Sequence, residues 1–181
     1  MGAEKAFLAL AGNTLIERVL ALARAVTPIV SLVGRQDKLS RFGTVVEDIY
    51  PDRGPLGGIH AALTASHTDL NLILAVDAPF VSEKFLGFMA QCAEDSEAVV
   101  TVPRTATGWQ PLCGVYRKAF AEPAGQALVA GRNRIDSLFS TVSLRVIEEA
   151  ELRGLAFDPA MFDNLNTPGD WERARERTNG P

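Results

Sequence analysis

The chain has 181 residues, of which 47% are hydrophobic and 22% charged, so it is large enough to bury one full core. Its net charge of −4 gives no basic footprint for nucleic acid, and no apolar run reaches the roughly 20 residues that span a bilayer. Cys92 and Cys113 have no metal-site spacing, and we interpret both as buried small hydrophobes in a reducing compartment. Because residues 1–5 lack a signal-peptide pattern, we expect a cytoplasmic protein without membrane or nucleic-acid partners.

Apolar runs of strand length alternate with amphipathic helical stretches along the chain. Thr14 and Glu17 form a capping box, Ser82 can cap a second helix, and Thr167 precedes a proline at the start of the last helix. This alternation predicts one α/β domain, a three-layer α/β/α sandwich with a mostly parallel sheet and ligands at the carboxyl ends of its strands. Several predicted strands are apolar on both faces, as expected under helices on each side; the strands are residues 28–34, 44–48, 70–77, 98–102 and 112–116.

A glycine-rich turn at residues 54–58 follows the strand at 44–48 and opens a helix. Glycines let a ligand approach the backbone closely, and a helix start offers unpaired N–H groups; a plain tight turn is the alternative. The turn is neither a Walker loop nor a GxGxxG fingerprint. His60 and His67 on the same helix lack further metal ligands, so we interpret both as packing or solvent-facing residues.

The apolar strand at residues 70–77 ends in an aspartate. Pro79 prevents the sheet ladder from continuing beyond Asp77. A carboxylate at the carboxyl end of a central strand needs a partner, and a magnesium ion with phosphate oxygens would be a natural one. An aspartate that caps the next turn is the alternative, and this segment alone does not decide between them.

Taken in chain order, six short segments resemble the molybdenum cofactor guanylyltransferase family of α/β nucleotidyltransferases. The resemblance spans nearly the whole chain, and the glycine-rich turn and the paired asparagines point to the guanylyl branch. The segments are Met1-Gly2-Ala3-Glu4-Lys5, Glu47-Asp48, Gly54-Pro55-Leu56-Gly57-Gly58, Asp77-Ala78-Pro79, Gln110-Pro111 and Asn164-Leu165-Asn166-Thr167-Pro168.

This resemblance implies a nucleotide-diphospho-sugar-transferase-like, Rossmann-like fold and a defined reaction. Enzymes of the family transfer GMP from GTP to molybdopterin, form molybdopterin guanine dinucleotide and release pyrophosphate. Magnesium is the implied cofactor, with GTP and molybdopterin as ligands and other cofactor-assembly proteins or molybdoenzyme chaperones as further partners. The attacking phosphate is already ionised, which agrees with a sequence that offers no Ser-His-Asp or Cys-His constellation.

The matched positions also carry residue roles. Lys5 and Asp77 are the implied catalytic residues, with Asp77 as the magnesium ligand. The implied GTP-binding residues are Lys5, Asp48, Gly54, Pro55, Leu56, Gly57 and Asp77, and the implied molybdopterin-binding residues are Gln110, Asn164 and Asn166. Two further hypotheses concern the acceptor: Arg132 and Arg134 could bind its phosphate, and Trp109 could stack on its pterin, although packing is the stronger interpretation of Trp109.

One departure concerns the amino-terminal side. Family members begin with a short strand and an L-A-G-G-x-[ST]-x-R segment, and we expect residues 1–181 to form a single nucleotidyltransferase domain without that strand and the start of that loop. The activity of such a chain depends on this loop. A molybdopterin cytidylyltransferase, a sugar-phosphate nucleotidyltransferase and an inactive scaffold in cofactor assembly are the alternative functions.

Overall fold

The computed structural model describes residues 5–178, in which nine short strands alternate with helices. The strands are β1 (Ala9–Leu10), β2 (Asn13–Thr14), β3 (Ser31–Val33), β4 (Thr44–Val46), β5 (Leu70–Leu74), β6 (Val100–Thr105), β7 (Gly108–Trp109), β8 (Cys113–Arg117) and β9 (Leu144–Glu148). The α-helices are α1 (Leu15–Val26), α2 (Gln36–Leu39), α3 (Gly54–Ala65), α4 (Glu83–Glu94), α5 (Ala121–Val129), α6 (Glu149–Gly154) and α7 (Pro168–Thr178). Short 3₁₀ segments lie at Ser40–Phe42, Lys118–Phe120, Asp136–Thr141 and Pro159–Phe162.

The main sheet has the order β5-β8-β6-β9, and the short β7 forms a hairpin with β6. Both β5 and β6 run antiparallel to β8, and β9 runs parallel to β6, so β5, β6 and β9 share one direction. Strands β3 and β4 form a separate parallel pair. The prediction of a mostly parallel sheet is therefore confirmed, with β8 and the hairpin strand β7 running against the others.

Alternate residues of the sheet enter two different cores, which is what a three-layer sandwich requires. In β8, Tyr116 packs with the residues of α3 and α5, whereas Val115 packs with those of α4 and α6. All five predicted strands are present within or close to their predicted bounds. The sequence prediction missed β9, whose Leu-Arg-Val-Ile-Glu stretch mixes charged with apolar residues.

Helix capping follows the sequence. The Thr14 hydroxyl accepts the Glu17 N–H at 3.4 Å while the Glu17 carboxylate accepts the Thr14 N–H at 2.8 Å, which completes the predicted capping box of α1. Ser82 accepts the Phe85 N–H at 3.2 Å and caps α4. Each cap satisfies N–H groups that a helix start otherwise leaves unpaired.

Both cysteines are free thiols. Cys113 is buried as predicted, and this burial raises its pKa to about 12. Cys92 is only half-buried, and burial is also the main cause of its raised pKa. Neither is therefore a reactive thiolate at neutral pH. Among residues 5–178 no helix has the length and apolar character needed to cross a membrane.

Phe85 provides a test of the core on the α4 side of the sheet. Its ring is fully buried and meets Phe157 and Phe162 edge-on, each at 5.4 Å between centroids. We expect Phe85→Ala to lower the free energy of unfolding by about 3–5 kcal/mol, because it removes this ring and leaves a cavity. Urea unfolding measures the change. Phe88→Ala is the control, since Phe88 is only partly buried; an equal loss in both variants would contradict this account of the core.

Candidate active site

The carboxyl end of β5 carries the aspartate that the sequence singles out. Beyond β5, the Ala75 N–H donates to the Leu112 carbonyl oxygen at 2.8 Å, which holds the chain beside the segment that follows Pro111. Asp77 lies two residues further on and is half-buried. Within residues 5–178 its carboxylate has no hydrogen bond and no ion pair, so the protein leaves it available to a ligand. A cap on the next turn, the alternative role, is not what the structure shows.

The loop that precedes α7, residues 164–167, is hydrogen-bonded to the segment that follows β5. The Leu165 N–H donates to the Asp77 carbonyl oxygen at 3.2 Å, and the Leu165 side chain is buried with Leu10 and Leu15. This anchoring leaves Asn164 and Asn166 exposed on either side of Leu165. Two residues predicted from a short motif are therefore placed next to Asp77 by one buried leucine.

Lys5 completes this group. Its ammonium donates a hydrogen bond to the Asn166 side-chain oxygen at 2.8 Å. Lys5, Asp77 and Asn166 thus come together from the beginning, the middle and the end of the chain. A cation and an unpaired carboxylate at one strand end suit a ligand that carries both phosphate groups and a metal ion. The adjoining residues Met1 and Gly2 of the same predicted motif lie outside the described residues.

The glycine-rich turn forms the first turn of α3. Gly54 has a φ of +64°, which glycine adopts without strain. A Cβ at Gly57 would lie 3.2 Å from the Tyr50 carbonyl oxygen, so a side chain there would press against the loop that precedes the helix. Leu56 is fully buried, which leaves its backbone but not its side chain for a ligand, and Pro55 is exposed.

Asp48 lies beside this turn. Its carboxylate is 3.7 Å from the position of a Cβ at Gly57, and it makes no hydrogen bond among the residues that the structure describes. Partial burial, and secondly the charge of Asp52, raise the pKa of Asp48. The neighbouring Glu47 is already engaged, because it accepts the Gln36 N–H at 3.1 Å. Of the two predicted acids at the end of β4, Asp48 is therefore the one free to bind a ligand.

Gln110 has a structural partner that the sequence did not predict. Its side-chain nitrogen lies within 3.5 Å of the Thr105 and Thr107 hydroxyl groups and the Gly108 carbonyl oxygen, and so ties down the hairpin between β6 and β7. The described contacts do not connect this side chain to Lys5 or Asp77. Its role toward molybdopterin stays a prediction.

A cavity of about 440 Å³ opens between the glycine-rich turn and the β6–β7 hairpin. Pro55, Trp109, Arg134 and Asp136 are among the residues that line it. Arg134 forms an ion pair with Asp136 at 2.7 Å, whereas Arg132 is exposed. Trp109 meets Phe139 edge-on at 5.0 Å between centroids, which confirms packing as its main contact.

Within residues 5–178, no group of three or more His, Cys, Asp or Glu side chains lies close enough together to hold a metal ion. His60 instead packs edge-on against Tyr50 at 5.3 Å, as the packing interpretation predicted. Asp77 is a single free carboxylate, and magnesium in proteins is often held by one or two carboxylates together with substrate phosphates. The donor set therefore fits a magnesium ion that enters with a nucleotide.

Comparisons with known proteins identify the family of the chain. Residues 1–146 match the family described as the MobA-like NTP transferase domain. The chain belongs to this family. A probable molybdenum cofactor guanylyltransferase from Pelotomaculum thermopropionicum is 33% identical over 97% of this chain and 85% of its own length. A molybdenum cofactor guanylyltransferase from Desulfosudis oleivorans is 33% identical over 96% of this chain and 86% of its own length.

Solved structures with a similar fold include two nucleotide-related proteins. Molybdopterin-guanine dinucleotide biosynthesis protein A from Archaeoglobus fulgidus superposes with a TM-score of 0.84 at 27% identity, covering 98% of this chain and 92% of that one. The 2-C-methyl-D-erythritol 4-phosphate cytidylyltransferase from Thermus thermophilus reaches 0.72 at 18% identity, covering 97% and 94%, and bears on the fold alone. The protein is accordingly a nucleotidyltransferase enzyme with the α/β fold predicted from its sequence.

Asp48 yields a prediction about pH. Its pKa is raised in the folded chain, so the folded state binds this proton more tightly than the unfolded state does, and stability falls as the pH rises through that range. We expect Asp48→Asn to raise the free energy of unfolding at neutral pH, and this gain to disappear once the pH falls below the ordinary range of an aspartate. Urea unfolding at several pH values measures both effects.

The control for this prediction is Asp52→Asn, which removes only the lesser cause of the shift and should give a smaller gain. A lower unfolding free energy for Asp48→Asn at neutral pH would contradict the interpretation, because it would mean that the carboxylate has a stabilising partner in the folded protein.

Proposed function

We propose that this enzyme transfers GMP from GTP to molybdopterin, producing molybdopterin guanine dinucleotide and pyrophosphate. The observation that carries the proposal is the meeting of Lys5, Asp77 and Asn166 at the carboxyl end of β5. The names of the relatives indicate which nucleotide and which acceptor this site would take.

The proposed reaction is a displacement at phosphorus. An oxygen of the terminal phosphate of molybdopterin attacks the α-phosphorus of GTP, the bond from that phosphorus to the bridging oxygen of the β-phosphate breaks, and pyrophosphate leaves with the electron pair. The attacking oxygen is already ionised near neutral pH, so the step needs no side-chain nucleophile and no strong base. Catalysis then depends on holding two anionic substrates together and on neutralising the charge that develops between them.

Lys5 and Asp77 would each help to neutralise the charge of the phosphates, Lys5 directly and Asp77 through a metal ion. The Lys5 ammonium would bind phosphate oxygens as a compact positive charge, while the hydrogen bond that it donates to the Asn166 side-chain oxygen keeps it beside the acceptor loop. A bound magnesium ion would supply further positive charge at the phosphates, with the Asp77 carboxylate as its protein ligand. Because Asp77 has no other partner among the described residues, binding would not first have to break an ion pair.

Asp48 and the first turn of α3 would bind the nucleoside. The backbone N–H groups of Gly54 and Leu56, which have no partner within the helix, can donate to acceptor atoms of the base or to phosphate oxygens. The Asp48 carboxylate can accept from the N1–H and the 2-amino group of guanine, two donors that cytosine does not present together. Asn164, Asn166 and Gln110 would serve the molybdopterin side.

Asp77→Asn tests the metal role. We expect it to lower kcat/KM for molybdopterin guanine dinucleotide formation roughly a hundredfold or more, because removing a metal ligand costs several kcal/mol of transition-state stabilisation. Production of the dinucleotide from GTP, molybdopterin and magnesium is the assay. Asp69→Asn is the matched control at the opposite end of the same strand, where the carboxylate pairs with Arg117; it should leave the rate per folded molecule unchanged.

Nucleotide choice is tested separately. In thermal unfolding with magnesium, GTP should raise the melting temperature of the wild-type chain more than ATP, CTP or UTP does. A larger shift with CTP would support a cytidylyltransferase. Full function of Asp77→Asn in a cell that depends on this protein would support a scaffold and overturn the catalytic proposal.

A further inference from the structure

Asp170 connects the last helix to the groups that meet at Asp77. It lies in the first turn of α7, and its carboxylate accepts the N–H groups of Asn166 at 2.9 Å and Thr167 at 2.6 Å. In return the Thr167 hydroxyl accepts the Asp170 N–H at 3.2 Å. The bonds with Thr167 form an ordinary capping box, whereas the bond from Asn166 reaches one residue further into the loop.

The bond from the Asn166 backbone N–H to Asp170 fixes the backbone from which the Asn166 side chain projects. Leu165 is fixed to Asp77 by its own N–H, and Asp170 fixes the next two N–H groups, so three consecutive backbone donors of this loop are engaged. The Asn166 side chain projects from this immobilised stretch to the Lys5 ammonium. A continuous series of hydrogen bonds therefore runs from Asp170 through Asn166 to Lys5.

We propose that Asp170 is a positioning residue: by fixing the backbone of Asn166, it sets the place of the Lys5 ammonium and thereby links the acceptor loop to the binding of the nucleotide phosphates. This proposal rests on the proposed function for its effect on GTP. Its structural part, the dependence of Lys5 on Asp170, does not require any ligand.

Arg173 has a separate role. It pairs with the other oxygen of Asp170 at 2.6 Å, and among the described residues it makes no hydrogen bond to the loop, so it balances the charge of the carboxylate without bonding to Asn166. The favourable hydrogen bonds from the backbone of Thr167 and Asn166 are the first two causes of the lowered pKa of Asp170. Asp170 is consequently a carboxylate acceptor at neutral pH.

The first experiment measures Lys5 in the ligand-free full chain. Brief acetylation followed by mass spectrometry reports how freely each lysine reacts, with Lys38 as the internal reference. We expect labelling of Lys5 to rise about fivefold in Asp170→Asn, the size expected when a hydrogen bond to a charged group in an exposed site is lost. Asn166→Ala, which removes the partner of Lys5 directly, should give a similar rise, and the double variant should add nothing further.

Two controls separate positioning from helix capping. Glu17→Gln removes the acid of the other capping box, on α1, and Arg173→Gln breaks the ion pair of Asp170; neither should change Lys5 labelling. The proposal is wrong if Lys5 is acetylated to the same extent in Asp170→Asn as in the wild type. It is also wrong if Glu17→Gln increases the acetylation of Lys5 as much as Asp170→Asn does. If Asp170→Asn fails to fold, Asn166→Ala still decides the question. Unchanged acetylation of Lys5 in Asn166→Ala would show that Asn166 does not hold Lys5, and the proposal would be wrong.

The second experiment measures binding of GTP with magnesium by calorimetry. Asp170→Asn and Asn166→Ala should each raise Kd about fivefold, and the double variant should raise it no further, since Asp170 acts through Asn166. Additive effects, or an unchanged Kd beside increased labelling, would overturn the link to the nucleotide. Increased labelling in a chain whose wild type binds no GTP would instead leave the positioning intact and refute the proposed function.

Discussion

The hydrogen bond from the Leu165 N–H to the Asp77 carbonyl oxygen joins the last part of the chain to the end of a strand in the main sheet. It is supported by burial of the Leu165 side chain in a cluster with Leu10 and Leu15, against which Val76 also packs, so three distant segments meet at this leucine. With this constraint in place, the exposed residues on either side of Leu165 can only lie beside Asp77. The position of Asn164 and Asn166 is thus a consequence of core packing.

The charges of the site are arranged for substrates that bring their own charge. Asp77 and Asp48 have no protein partner among the residues described. The pKa of Asp48 is raised chiefly because partial burial disfavours its charged form. Lys5 is held by a neutral amide instead of a carboxylate, which keeps its positive charge uncompensated. Such groups cost stability in the free protein, and they are typical of sites that bind phosphates and metal ions.

Strands β5 and β8 could be predicted because the stretches in which they lie are largely apolar. Residues 70–77 and 112–116 carry apolar side chains on both faces, and β5 and β8 lie there. The capping box of α1 could likewise be predicted, since Thr14 and Glu17 interact within one helical turn. Strand β9 escaped prediction because Arg145 and Glu148 interrupt its apolar residues without a regular alternation, and its pairing with β6 depends on the whole sheet.

Prediction of the site was less complete, for a related reason. Short motifs identify residue types at strand ends, and so Lys5, Asp77 and Asn166 could be named in advance. The attachment of Gln110 to the β6–β7 hairpin, and the bond from the Asn166 N–H to Asp170 four residues later, depend on side-chain directions that no spacing encodes. The engaged state of Glu47, which distinguishes it from Asp48, is also visible only in the folded chain.

The most direct test of the account maps the metal that accompanies the nucleotide. Iron(II) in place of magnesium, bound with GTP and exposed to ascorbate and peroxide, cleaves the backbone close to the ion, and mass spectrometry locates the cuts. The account predicts cuts near Asp77 and near residues 164–166 that require GTP and are lost in Asp77→Asn. Cuts that do not depend on GTP, or that fall away from the carboxyl end of β5, would contradict it.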